Sequence, residues 1–307
     1  LGGALVVVLA AAIGAGAVWL WRPAPVATPA PQPVALVAPR PPEFAIQPAT
    51  EAQILANTNP SMVIFRFIPN PKILVLDFPD LHQQAMMLNR VAALIEKAGL
   101  PRDRVLTDSE LTAAIAASGD SADTYYYGHD YSAASLQRFF TLADRDHVAL
   151  TPQEQMLRRL LVQEGMLTPG SLGALISIPH AGLDKLIDMS ARATILHHEL
   201  SHGEYFSNPV YAAYARKFWA TGLTDSDRAA FIHFLTSQGY DPTDHDLMMN
   251  ETQAYLMHTP DPRFFNASVV NMTPAALDAL RTAFLLNMPH GWLRDCTAVP
   301  SSLAVKN

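Results

Sequence analysis

The chain opens on an unbroken apolar run and then changes character twice. Residues Leu1 to Trp21 carry no charge and are almost all apolar. As a helix this run spans about 30 Å, roughly one bilayer core. Trp19 and Trp21 stand at its end, where indole rings favour a membrane–water interface. The run predicts a transmembrane anchor, with a cleaved signal segment as the competing reading. Residues 22–43 contain eight prolines. Proline fixes φ and removes the backbone donor, so this stretch predicts an extended, semi-rigid linker rather than a helix or a central strand. The folded domain is expected over residues 44–307.

Within that domain the hydrophobic period alternates between two and three to four. Met62–Ile68 and Lys72–Phe78 show period-two features, with Val63, Phe65 and Phe67 in the first and Ile73, Val75 and Asp77 in the second. The short Pro69-Asn70-Pro71 break between them predicts an antiparallel pair. A helix is predicted from Asp80 to Lys97, with apolar positions at Met86, Leu88, Val91, Leu94 and Ile95. Further helices are expected over Leu111–Ala117 and Ser132–Asp144 and from Thr151, where Thr-Pro-Gln-Glu is a capping-box start. Gly173–Pro179 reads as a short strand. Beyond it the pattern is helical, near 183–206, 209–220, 224–238, 244–258 and 273–287. The fold class is therefore α+β, a small sheet followed by a predominantly helical C-terminal part.

Composition and charge narrow the functions. Half of the 307 residues are hydrophobic, 16% are charged, and the formal net charge is −7. No run of Lys or Arg appears, so nucleic acid is not an expected partner. The single cysteine, Cys296, permits no internal disulfide. An anchor followed by a spacer predicts a domain held off a membrane, in a bacterial periplasm or cell envelope, or secreted if the first segment is cleaved. Neither a Gly-x-Ser-x-Gly elbow nor a phosphate-binding loop is present.

The stretch that carries chemistry is His198-Glu199-Leu200-Ser201-His202, an H-E-x-x-H pattern inside a helical segment. Residues four apart share a helix face, so both imidazoles can reach one ion. Glu199 stands beside the position that a catalytic zinc keeps for water, where it can act as general base. Thr194, Ile195, Leu196 and Leu200 give the same helix an apolar side to bury. A bland alternative is an amphipathic helix whose polar residues face solvent. Against it stands Glu251, in Asn250-Glu251-Thr252-Gln253-Ala254-Tyr255, a suitable third ligand on a later helix.

Together these two short motifs resemble those of gluzincin-type zinc metallopeptidases. The resemblance implies a zincin-like fold, with Zn2+ held by His198, His202 and Glu251. It implies a peptide or protein substrate in a cleft between an α+β part and a helical part, and it would make Gly173–Pro179 an edge strand able to pair with that substrate. Many members carry an Asp four residues after the liganding Glu to orient the first His. Here that position is Tyr255. Tyr255, Asp244 or Asp246 is then the expected acceptor. A cell-wall zinc amidohydrolase uses the same site, and a non-catalytic domain stabilised by zinc is the alternative from another class.

Three further positions are candidates for oxyanion stabilisation: Tyr127, His129 and Tyr131, from the aromatic stretch Thr124–Tyr131. The competing account, favoured because no spacing rule supports the functional one, is a structural turn at Gly128 packed with tyrosines. His258, two turns after Glu251, either lines the cleft or interacts with a helix C-terminus. Glu204 is read as a surface or supporting carboxylate rather than a ligand.

Overall fold

The computed structural model describes residues 43–182 and 185–297. The anchor predicted at 1–21 and nearly all of the linker at 22–43 lie outside the described residues. Among the described residues no helix is long and apolar enough to cross a membrane.

Five strands form one mixed sheet: β1 (Ile46–Ala49), β2 (Val63–Phe67), β3 (Ile73–Phe78), β4 (His129–Ser132) and β5 (Ala174–Pro179), in the order β1-β2-β3-β5-β4. The predicted β2–β3 pair is antiparallel, as its short turn requires. β3 and β5 are parallel, and every residue of both is buried. β5 is thus internal, not the edge strand that the resemblance implied. A continuous apolar run such as Ala174-Leu175-Ile176 is what burial on two faces selects. The edge beside β5 is β4, antiparallel to it.

One face of the sheet packs on α2 (Leu81–Ile95), α4 (Ala133–Arg145) and α5 (Pro152–Gln163), through Leu74, Leu76, Tyr131, Leu88, Leu136 and Leu160. Asp80, Ser132 and Thr151 cap these helices, each side chain accepting the N–H three residues on. On α2 it is Met87 that is buried at 4% exposure, while Met86 is 41% exposed, so the predicted stripe slips by one position there. The predicted short helix at 111–117 is longer, α3 (Asp108–Ser118), because a Thr107 capping box starts it earlier.

The other face carries α1 (Glu51–Leu55) and the long helix α6 (Met189–Ser207), with Ile195, Leu196 and Leu200 set against Val75, Ile176 and Ile178. α6 starts at Met189, not 183, because the Asp188 carboxylate accepts the Ala191 N–H and fixes the first turn there. Gly203 lets α6 lie close on β3: a Cβ there would meet Ile73 Cδ1 at 2.8 Å. A second pin is polar. Arg192, 1% exposed, donates to both Asp77 carboxylate oxygens at 2.9 Å, to Pro179 O at 2.6 Å and to Ile54 O at 2.8 Å. Asp77 sits where the strand alternation placed a core residue, and Arg192 is what allows a carboxylate there.

The helical part consists of α7 (Pro209–Thr221), α8 (Asp225–Ser237), α9 (His245–His258), α10 (Pro274–Asn287) and α11 (Trp292–Cys296) around a separate core that includes Phe218, Phe231, Phe265 and Phe284. The first four fall within a few residues of their predicted bounds.

Candidate metal centre

The site lies where α6, α9 and β4 meet. The turn-and-a-bit between His198 and His202 puts both rings on one face of α6, 4.6 Å apart between centroids. α9 crosses that face and brings Glu251, which is 1% exposed. His198 Nε2 and His202 Nε2 are 2.9 Å apart, and Glu251 Oε2 is 3.7 Å from each. The three donor atoms lie within 4.8 Å of one another. An ion with bonds of about 2.1 Å in tetrahedral geometry separates its donors by roughly 3.4 Å, inside the observed span.

Two observations test whether a divalent cation fits. Glu251 Oε2 is buried and has no hydrogen-bond donor. A buried carboxylate oxygen left this way is costly unless a cation faces it. The second is the state of the imidazoles. Burial lowers the His198 pKa to about 3 and that of His202 to about 4, so both are neutral, as metal ligands must be.

The orienting group for His198 is Thr259, in the turn after α9. Its hydroxyl is 2.7 Å from His198 Nδ1 and donates onward to Ala254 O at 3.0 Å. It therefore accepts from Nδ1–H, which leaves the Nε2 lone pair turned to the site. None of the three residues expected in this role fills it. Asp246 accepts from Tyr205 and Arg216, and Asp244 caps α9. Tyr255 packs its ring on His198 edge-on at 4.8 Å and lines the cavity instead.

Glu199 is 6% exposed. Its Oε2 has no hydrogen-bond donor. Burial, with the charges of Glu251 and Glu96 adding, pushes its carboxyl well above the usual range. Gly128 roofs it: a Cβ on Gly128 would stand 2.1 Å from Glu199 Oε1. A cavity of about 380 Å³ opens in front of His198 and Glu199, walled by Tyr125, Tyr126, Tyr127, Tyr240, Tyr255 and Phe264.

Strand parity sorts the aromatic stretch. His129 and Tyr131 pair with Ser177 and Leu175, and Tyr131 lies in the core on the face away from α6. Both rings are buried, and His129 Nδ1 bonds the Tyr131 hydroxyl at 2.7 Å. Neither lines the cavity, so neither is placed to stabilise an oxyanion there. Tyr127 does line it. Asp130 pairs with Ile176, on the α6 face, and so points into the site. Its Oδ2 is 3.8 Å from His202 Nε2, and its carboxyl is within hydrogen-bonding reach of Glu199. Asp130 escaped sequence reading because no strand was predicted at 129–132. Alternation along that segment was the one signal for it.

His258 is fully buried behind the site, 3.2 Å from the Tyr211 hydroxyl, and does not line the cleft. His197 faces Glu51 at 3.3 Å. Glu204 accepts from Asn70, Asn208 and Trp292, a supporting role as read from the sequence.

The chain matches no protein-family model, no curated protein and no solved structure.

Proposed function

We propose that this protein is a zinc-dependent hydrolase of zincin-like fold, acting on peptide bonds in the manner of gluzincins. The observation that carries the reading is the convergence of His198 Nε2, His202 Nε2 and the donorless Glu251 Oε2 at 2.9–3.7 Å. Zinc bound to that set supplies Lewis acidity toward a substrate carbonyl and toward water. The chain supplies the proton path. Glu199 Oε2 takes a proton as the water oxygen bonds to the carbonyl carbon, and returns it to the amine nitrogen as the carbon–nitrogen bond breaks.

Substrate placement falls to β4. It pairs with β5 on one side, and among the described residues no strand pairs with its other side. An extended peptide can add there, its side chains entering the tyrosine-lined cavity. Tyr127 and Tyr255 are among the tyrosines that line the same space, on the side from which an oxyanion could be met. The apolar segment 1–21 and the proline spacer extend the proposal to a membrane-anchored enzyme of the cell envelope. Glu199→Gln tests the assignment: hydrolysis of unstructured protein substrates should cease while zinc content stays at that of wild type. Undiminished turnover in the variant would remove Glu199 as the base.

A further inference from the structure

We propose that Asp130 is a fourth protein donor to the same ion, so that the metal clamps edge strand β4 to helices α6 and α9 in the resting protein. The inference rests on the metal-centre reading and adds a residue from a different element.

Parity fixes the direction of the side chain. Asp130 stands opposite Ile176, whose side chain packs under α6, while its neighbours 129 and 131 turn to the other face. Spacing fixes the reach. Asp130 Oδ2 lies 3.8 Å from His202 Nε2, nearly the 3.7 Å that separates Glu251 Oε2 from the same nitrogen. Asp130, Glu199 and His202 form a second group of donor atoms, all within 4.8 Å of one another. The two groups meet at His202 and flank it; Asp130 is not grouped with His198 or Glu251, so a fourth bond requires its carboxylate to turn from Glu199 toward the ion.

Charge and packing agree. Asp130, Glu199 and Glu251 converge in a buried space, and among the described residues no Lys or Arg forms an ion pair with any of them. Glu199 Oε2 and Glu251 Oε2 are both buried without donors. A divalent cation offsets this excess, in place of the proton that Asp130 and Glu199 share without it. Gly128 has no Cβ, so the strand backbone presses onto Glu199 and carries Asp130 within reach.

The consequence is a site closed by its own chain. Two imidazoles and two carboxylates make four protein ligands, the count of a structural zinc site, whereas a hydrolytic one keeps a position for water. Asp130 holds that position at rest. A substrate strand that pairs with β4 and shifts it draws Asp130 away and opens the position.

The test is metal affinity, by competition with a chromophoric chelator, in wild type, Asp130→Asn, Asp130→Ala and Glu251→Ala. The visible bands of the Co2+-loaded proteins and hydrogen exchange in wild type with and without Zn2+ complete it. Both Asp130 variants should lose about tenfold or more in affinity and shift the Co2+ bands. Amides of 129–132 should gain protection when Zn2+ is added to wild type, a measurement that needs no variant. Unchanged affinity and bands in the Asp130 variants, with binding lost in Glu251→Ala, would overturn the fourth ligand and leave the three-ligand centre standing. Absence of binding in wild type would overturn both.

Discussion

The Thr259 hydroxyl stands 2.7 Å from His198 Nδ1, and sixty-one residues separate the two in sequence. It fixes which imidazole nitrogen faces the site, because its own hydrogen is committed to Ala254 O. Thr259→Val keeps the volume and removes the acceptor. Zinc affinity should fall about 10–100-fold, with Thr259→Ser close to wild type. Equal affinity in Val and Ser variants, by chelator competition, would mean that the hydroxyl does not orient the ring.

Gly128→Ala places a methyl 2.1 Å from Glu199 Oε1 and 3.0 Å from Ile195 Cγ2. The carboxylate is the movable partner, so the methyl displaces it before it unfolds the strand. Peptidase turnover should drop by roughly tenfold or more, about 1.4 kcal/mol in barrier. The melting temperature should fall by only a few degrees, and zinc content should hold. A large stability loss with turnover per folded molecule unchanged would contradict this order of events.

Glu96 closes α2 beneath the site, 4% exposed, and burial with the Glu251 charge pushes its carboxyl up to about 8 from 4.5. Between those two values the folded state keeps a proton that the unfolded chain releases. Rising pH therefore favours unfolding across that window, and the trend ends above it. The stability of metal-free wild type relative to Glu96→Gln should fall from pH ~5 to pH ~8 and then level off, since the other titrating groups are common to both proteins. Denaturant unfolding at several pH values, with chelator present, reads it directly.

Arg192 and Asp77 form a buried pair at 1% and 0% side-chain exposure. Arg192→Met strands a carboxylate in the core and should cost about 3–5 kcal/mol. The double variant Arg192→Met, Asp77→Leu removes both charges and should recover most of that loss. Urea unfolding of the single and double variants separates the two, and a double variant as unstable as the single one would refute the pairing as the cause.

What the sequence made legible follows from range. His198 and His202 are four residues apart on one helix, so local periodicity sufficed to pair them, whereas Glu251 on a later helix was singled out by the gluzincin resemblance. Thr151 announced its helix because caps are local chemistry. β1 and β4 are four residues each, with Ile46 the single Val or Ile between them, and α1 and α11 are single turns. With β4 unseen, β5 was assigned its edge, Tyr131 its place in the site, and Asp130 nothing. Thr259 had no local signal: its role exists only once α9 has crossed α6.

Glu251 and Thr259 both arrive on α9 and the turn that follows it, whereas His198, Glu199, His202 and Asp130 belong to the sheet and its helix. Anything that levers the helical half away removes a ligand and the support of another ligand in one motion. Demetallation and parting of the two halves are then the same event seen by different probes. A partner that wedges between them would take apart the proposed centre without touching the H-E-x-x-H helix.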